Sequence, residues 1–550
     1  MAADLNFRWA ATLTAALADL GVRHAVISPG SRSTPLVLAS RATEGLKTWV
    51  QVDERCAAFF ALGLAKGTGA PVALVATSGS APAHWYPAVI EASQAGVPLL
   101  LLSADRPPEM QDCGANQTLD QTRLFGAHVR AFLGLPVPDG EALAALPNLA
   151  ARAVDRALWP LPGPVHINLP FREPLVPDGM PALASVAVPR LSLPPAMPAE
   201  VPELRGRGVI VCAGNPAPPA ADVAELARTL RVPVLADPLS GLRFGSHDLE
   251  PVMVRYDAWA RGERFVAGSR PDWVLSFGGA PVSKPLLRFL AGCGAAEFIV
   301  VDDRGSWSDP VRRATHMLRA GAGAVCRALA DTPPAPSGWL ERFQEADAVA
   351  TRLADAFPIA ERDMVQAATS TAGLLFCGNS LPVREVDAFS GKGPAGPVLT
   401  ANRGASGIDG SVSTLLGLAA AHGPAVGLIG DLALYHDMNG LLMARDGGLD
   451  AVVAVPNNGG GAIFEYLPQA RLPGFADHWL TPTGIDLGKV AGLYGLPYRS
   501  AATGAEFATA LDEAIDRGGV HLLEVAIDRE RSVASHKAYW AAVAAAVDAL

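Results

Sequence analysis

Eight short apolar runs, none alternating with polar residues, constrain this chain more than any other feature. They are HAVISPG (24–30), PVALVATSG (71–79), VPLLLLSAD (97–105), GVIVCAG (208–214), WVLSFGG (273–279), EFIVVDD (297–303), AVGLIGD (425–431) and AVVAVPN (451–457). A strand that is apolar at every position is buried on both faces, as in a parallel sheet covered by helices on each side. Ala-rich helical stretches separate the runs from end to end. The predicted fold class is α/β, built from doubly wound parallel sheets. Two proline-rich stretches, 186–205 and 331–338, read as stiff linkers. They predict three units: 1–185, 200–332 and 355–550.

The 550 residues allow three or four domains at roughly 150 residues each. Only 18% are charged, too few for long disordered tails. A net charge of −10 argues against a nucleic-acid partner, which selects a basic footprint. Any anionic ligand must then be held by a few placed Arg or Lys residues and by backbone amides. The six cysteines include no C-x-x-C pair, so neither a zinc ribbon nor a disulfide scaffold is expected. Asp4, Arg8 and Asp19 interrupt the N-terminal apolar stretch, unlike a secretory signal. No window reaches the roughly 18 uncharged apolar residues of a membrane span. The expected location is the cytoplasm.

The most specific pattern lies in the third unit. One run ends in Gly430-Asp431, and the next ends in Asn457-Asn458, followed by Gly459-Gly460-Gly461. Neighbouring strands would bring a carboxylate and an amide oxygen to one point, as a hard cation such as Mg²⁺ requires. The glycines let the backbone approach, offering a carbonyl to a metal and amides to a phosphate. Taken singly, each element is a common turn. The joint spacing is much less common.

This spacing resembles the diphosphate-binding motif of thiamine-diphosphate enzymes, departing from it at Leu432, Pro456 and Gly459. Such an enzyme also needs an acidic residue beside the cofactor pyrimidine, and VDERCAAFFALGLAKGTG (52–69) offers Glu54. Burial against Phe59 and Phe60 is expected to raise the pKa of Glu54. By itself, an acidic pair at 53–54 would merely favour a helix N-terminus.

Longer segments extend the resemblance: SPGSRSTPL (28–36), VDER (52–55), TSGSAPA (77–83), SADRPPE (103–109), ANQT (115–118), GNSLPVRE (378–385), NRGASGIDG (402–410) and NNGGGAIFEYLPQ (457–469). Together they resemble the menaquinone-pathway family of thiamine-diphosphate enzymes, the 2-succinyl-5-enolpyruvyl-6-hydroxy-3-cyclohexene-1-carboxylate synthases. The resemblance implies decarboxylation of 2-oxoglutarate and 1,4-addition of the resulting succinyl-semialdehyde carbanion equivalent to isochorismate. It implies thiamine diphosphate with Mg²⁺ or Mn²⁺, and Glu54 as the activating residue. It also implies a cofactor held between two chains, so a homodimer is the minimum and a homotetramer is expected.

The resemblance carries Ser31, Arg32, Arg106, Asn116, Gln117, Lys284, Ser380, Arg384 and Arg403 over to substrate binding; PVSKPLL makes Lys284 the weakest match. Arginine suits planar, bidentate carboxylate recognition, and both substrates are polyanions. Cofactor contacts are implied at Glu54, Ile408, Gly430, Asp431, Leu432, Ala433, Asn458, Ile463, Phe464 and Leu467. Metal contacts are implied at Asp431, Asn458 and Gly460. Ile408 would prop the cofactor; Ile463, Phe464 and Leu467 also read as ordinary helix core. No two histidines are adjacent, and His84 and His436 read as packing or surface residues. The alternatives are another thiamine-diphosphate enzyme, such as a simple 2-oxoacid decarboxylase, or a catalytically silent α/β binding protein.

Overall fold

Each of the eight apolar runs forms a strand in the computed structural model, which describes residues 2–179, 187–192, 200–214, 216–446 and 448–550. Within the first proline-rich stretch, residues 186 and 193–199 lie outside the described residues. The first sheet contains β1 (His24–Ile27), β2 (Lys47–Val50), β3 (Val72–Ala76), β4 (Leu99–Asp105), β5 (Ala131–Gly134) and β6 (Val165–Pro170). The second contains β7 (Gly208–Cys212), β8 (Val234–Ala236), β9 (Val252–Met253), β10 (Trp273–Phe277), β11 (Glu297–Val301) and β12 (His316–Leu318). The third contains β13 (Leu374–Cys377), β14 (Val398–Thr400), β15 (Ala425–Leu428), β16 (Ala451–Asn457), β17 (Tyr498–Ala501) and β18 (Val520–Ala526).

The strand orders are β2-β1-β3-β4-β6-β5, β12-β11-β10-β7-β8-β9 and β14-β13-β15-β16-β18-β17. All pairings within the sheets are parallel. The first and third sheets share one topology, although the sequence carries no visible repeat. Residues of β3 and β4 are buried throughout, as continuous apolar runs require.

The first and third domains meet through a helix pair, Glu54–Thr68 and Ser411–His422. The pair crosses at glycine. A Cβ on Gly63 would lie 2.2 Å from the Thr414 carbonyl oxygen, and one on Gly417 would lie 2.1 Å from that of Phe60. Phe59, Phe60, Val412, Leu415 and Leu416 form one continuous core across this junction. A second core joins the central and third domains, including Tyr256, Val386 and Phe389. Among the described residues, no helix is long and apolar enough to cross a membrane.

Candidate active site

In the third domain, β15 and β16 are adjacent, with Leu428 paired to Ala454. Their C-terminal ends therefore deliver Asp431 and the Asn457-Asn458 pair to the same edge of the sheet. Gly430 caps the helix Asp431–Asp437, whose first internal bond runs from the Leu434 N–H to the Gly430 carbonyl. The amides of Asp431, Leu432 and Ala433 precede that bond, so they have no acceptor within the helix. The amides of Asp431 and Leu432 turn to the Asp431 carboxylate instead, and a helix start of this kind is suited to phosphate.

Asp431 is buried, and desolvation lifts its pKa to about 6. The backbone amides of Asp431, Leu432 and Gly460 oppose that rise, while the charge of Glu524 adds to it. Asn458 Oδ1 is buried without a hydrogen-bond partner. Gly459 and Gly460 have φ of +73° and +132°, and a Cβ on Gly460 would lie 2.1 Å from the Leu480 carbonyl oxygen. The Gly460 carbonyl accepts from the Ala462 N–H at 2.9 Å, which leaves a second lone pair. A desolvated carboxylate, an orphaned amide oxygen and a carbonyl form an all-oxygen donor set that fits Mg²⁺ or Mn²⁺. Asn457 points elsewhere: its Nδ2 donates to Glu524 at 2.7 Å.

Ile463 and Phe464 lie on the 3₁₀ helix Ala462–Tyr466, with Leu467 just beyond it. All three are half-buried, so the chain's own core does not absorb them. Ile408 is likewise half-buried, at the edge of the core shared by the first and third domains.

Glu54 opens its helix directly after the cap residue Asp53, whose carboxylate accepts from the Arg55 and Cys56 amides. Arg55 donates to the His436 carbonyl at 2.8 Å, and Asn439 donates to Asp53 at 3.1 Å. These contacts place the start of this helix against the last turn of the helix Asp431–Asp437 and the segment that follows it. Glu54 is half-buried. Phe59 and Phe60, five and six residues on, point to other faces, Phe59 towards Gly410 and Phe60 towards Trp49. The burial expected for Glu54 from these rings is therefore not supplied by them.

Arg32 and Arg106 form a second group, at the ends of β1 and β4. Arg32 is buried, donating to the Phe171 carbonyl at 2.9 Å and to Glu173 at 3.0 Å. Arg106 donates to Ser78, while the Ser78 hydroxyl donates to the Gln117 carbonyl at 3.1 Å. Desolvation, then the like charge of Arg32, lowers the Arg106 pKa. Both guanidinium groups keep a buried Nε–H with no partner. Ser31, Asn116 and Gln117 are exposed around them, Gln117 with φ of +55°. An adjoining cleft of about 840 Å³ is lined by Asp105, Arg106, Gln111 and Asn168.

Ser380, Arg384 and Arg403 make a third group. Ser380, with φ of +73°, caps the helix Leu381–Phe389, and its carbonyl accepts from Arg384. Arg403 donates to Asn379 at 3.0 Å. Arg384 feels the Arg403 charge, which after desolvation lowers its pKa. Lys284 is exposed at the first position of the helix Lys284–Gly292. No hydrogen bond or ion pair among the described residues joins the Arg32 group to the Arg384 group. His84 and His436 are exposed.

Sequence reasoning missed Glu91, Ser78 and Asn379. Glu91 is buried and accepts the Gly404, Ala405 and Ser406 amides. Asn379 donates to the Asn402 and Gly407 carbonyls, bracing the 402–407 loop. Ser78 stood inside a motif already singled out. For Glu91, the one available signal was an acidic residue within the otherwise uncharged segment YPAVIEASQA.

Residues 7–124 match the family model described as the N-terminal TPP binding domain of thiamine pyrophosphate enzymes. Residues 197–366 match the middle domain of thiamine pyrophosphate, and 393–525 match the C-terminal TPP binding domain. The chain is similar to three proteins named 2-succinyl-5-enolpyruvyl-6-hydroxy-3-cyclohexene-1-carboxylate synthase. That of Dechloromonas aromatica is 44% identical, over 95% of this chain and 98% of its own. That of Chloroflexus aurantiacus is 42% identical over 98% and 96%, and that of Geobacillus kaustophilus 42% over 98% of each. With this likeness running almost end to end, and with domains of the thiamine-enzyme type in the expected order, the chain belongs to the 2-succinyl-5-enolpyruvyl-6-hydroxy-3-cyclohexene-1-carboxylate synthase family of thiamine-diphosphate enzymes.

Proposed function

We propose that this chain decarboxylates 2-oxoglutarate and adds the resulting four-carbon unit to isochorismate in 1,4 fashion, releasing CO2 and forming 2-succinyl-5-enolpyruvyl-6-hydroxy-3-cyclohexene-1-carboxylate. The observation that carries the substrate class is the Arg32–Arg106 pair, two adjoining guanidinium groups that each keep a buried Nε–H without a partner. In an acidic protein, such a pair is suited to a carboxylate-rich ligand. Thiamine diphosphate, when bound, supplies the electron sink for breaking and making the C–C bonds. Asp431, Asn458 and the Gly460 carbonyl would hold its Mg²⁺ or Mn²⁺, and the amides of Leu432 and Ala433 would face its diphosphate. Ile408, Ile463, Phe464 and Leu467 would line its rings. Glu54 would hydrogen-bond a nitrogen of the pyrimidine ring and so favour the cofactor's activation. Ser31, Asn116, Gln117, Lys284, Ser380, Arg384 and Arg403 orient the two polyanions alongside the arginine pair.

We take units 1–185, 200–332 and 355–550 as the pyrimidine-binding, central and diphosphate-binding domains. Glu54 of one chain would meet Asp431 of another, making a homodimer the minimum and a homotetramer the expected assembly. Val50 and Val52, 54% and 63% exposed beside Glu54, support a covering partner. Six free cysteines suit the reducing cytoplasm.

The test is CO2 release from 2-oxoglutarate with and without isochorismate, at saturating thiamine diphosphate and Mg²⁺. Sustained turnover should require isochorismate; equal release without it would make the protein a simple decarboxylase. In the same assay, Glu54→Gln should keep cofactor affinity while slowing exchange of the cofactor C2 proton roughly 10³-fold, corresponding to about 4 kcal/mol. Exchange within threefold of wild type would remove Glu54 from this role.

A further inference from the structure

The helix Tyr256–Trp259 is only four residues long, yet its first two side chains reach two of the groups described above. Tyr256 is fully buried. Its hydroxyl lies 2.6 Å from Asp387 Oδ1 and 3.0 Å from the Ala236 carbonyl oxygen, and it accepts from Arg243 Nη2 at 2.9 Å. Arg243, also buried, spends every donor here. Its Nε donates to the Ala236 carbonyl, its Nη1 to the Asp387 carbonyl and Ser390, and its Nη2 to Tyr256 and Asp387 Oδ1. Asp387 belongs to the helix Leu381–Phe389, which begins just after Ser380 and carries Arg384.

The next residue reaches the other way. Asp257 Oδ1 accepts the Ser283 hydroxyl at 2.8 Å, and Ser283 caps the helix whose first residue is Lys284. Asp257 also stands among the charges acting on Arg384. Arg384 bonds to the Ser380 carbonyl at the cap of its own helix, and Lys284 is exposed, making no hydrogen bond or ion pair with the other described residues. The placement of each cation therefore follows that of its helix.

A buried ion pair with every donor engaged fixes geometry more dependably than it adds stability. We infer that Tyr256, Asp257 and Arg243 are positioning residues that set the spacing of Lys284 and Arg384, making the central domain one wall of a carboxylate pocket. The inference rests on reading Lys284 and Arg384 as substrate residues, and it gives the central domain a task that needs no ligand of its own.

The experiment uses the full-length holoenzyme. Tyr256→Phe removes one hydroxyl and keeps the ring. It should raise KM for 2-oxoglutarate at least fivefold while changing kcat and thiamine-diphosphate affinity less than twofold. Asp257→Ala should do the same, with Asp257→Asn closer to wild type because its amide oxygen can still accept from Ser283. The decisive measurement combines variants: Lys284→Ala should cost at least threefold less in KM when Tyr256 is already Phe. Effects that simply multiply would overturn the inference, as would an unmoved KM in both Tyr256→Phe and Asp257→Ala. If Lys284→Ala alone leaves KM unchanged, the inference falls with the assignment of Lys284. Isochorismate-dependent turnover by the wild-type enzyme reports separately on the reaction.

Discussion

The carboxylate of Glu91 accepts the backbone N–H of Gly404 at 2.8 Å, tying the helix Tyr86–Ala95 of the first domain to the 401–410 loop of the third. Its other oxygen takes the amides of Ala405 at 2.6 Å and Ser406 at 3.2 Å. One buried side chain thus holds the loop that carries both Arg403 and Ile408. Glu91→Ala would leave these amides without their acceptor, at about 1–3 kcal/mol for each that stays dry. The thermal midpoint should fall by at least about 4 °C, and KM for 2-oxoglutarate should rise. Glu91→Gln keeps one acceptor oxygen and should recover part of both losses. A melting curve for Glu91→Ala that overlays wild type would show that the loop is held by something else.

Asp431 leads to a prediction in which stability and function move in opposite directions. Burial raises its pKa to about 6 in the metal-free protein, so the fold disfavours its ionised form. The sign follows: this group's contribution to stability is fully present below about pH 4 and is lost as pH rises through about 6. At pH 7.5 the metal-free Asp431→Asn variant should therefore melt above wild type, and at pH 4 the difference should vanish. The same substitution removes the anionic metal ligand, as Asn458→Ala removes the neutral one. Mg²⁺-dependent thiamine-diphosphate binding, measured by calorimetry, should weaken at least tenfold in both. Unchanged affinity in both would refute the metal assignment.

His536 gives a pH dependence of the same sign in a higher window. Burial alone would lower the pKa of its imidazole, but the Glu385 carboxylate at 2.9 Å, together with Glu361, holds it at about 9. A folded-state pKa above the unfolded value of about 6.5 gives stability that is complete below pH 6.5 and lost as pH rises through 9. The pair joins the helix Arg529–Val547 to the helix bearing Arg384, so its loss should loosen the C-terminal helix. Thermal melts between pH 6 and 9.5 should fall more steeply for wild type than for His536→Gln. Parallel curves would show that the pair is not charged in the folded protein.

The sequence made the doubly wound sheets legible because β3, β4 and β16 are apolar along almost their whole length. It hid β2 and β17, edge strands whose exposed residues carry little burial signal, and β6 and β18, where His166, Asn168, His521 and Glu524 interrupt the run. The Asp431–Asn458 relation was visible because strand adjacency follows from the order of βα units. Glu91 was not, since its acceptor role depends on a contact between residues more than 300 positions apart. The same holds for Asp387 and Tyr256, whose meeting is set by how two domains pack. Spacing along a chain predicts a site built at one sheet edge far better than one assembled between domains.

The last prediction divides the arginines between the substrates. Arg32 and Arg106 lie in the domain that supplies Glu54, while Arg384 and Arg403 lie in the domain that supplies Asp431. If two chains build each site, all four face one pocket. Loss of a carboxylate contact there should cost about 2–5 kcal/mol when the ligand charge stays desolvated. Each Arg→Ala change should therefore lower kcat/KM at least tenfold. Arg32 is the exception in stability: its bonds to Phe171 and Glu173 also brace the chain, so its loss should lower the melting point as well. The expected division assigns Arg384 and Arg403 to 2-oxoglutarate, and Arg32 and Arg106 to isochorismate. Single-turnover CO2 release without isochorismate isolates the first half-reaction. It should be slowed by Arg384→Ala and Arg403→Ala and nearly untouched by Arg106→Ala. If Arg106→Ala slows that release as much as it slows overall turnover, both substrates use the same pair and the division is wrong.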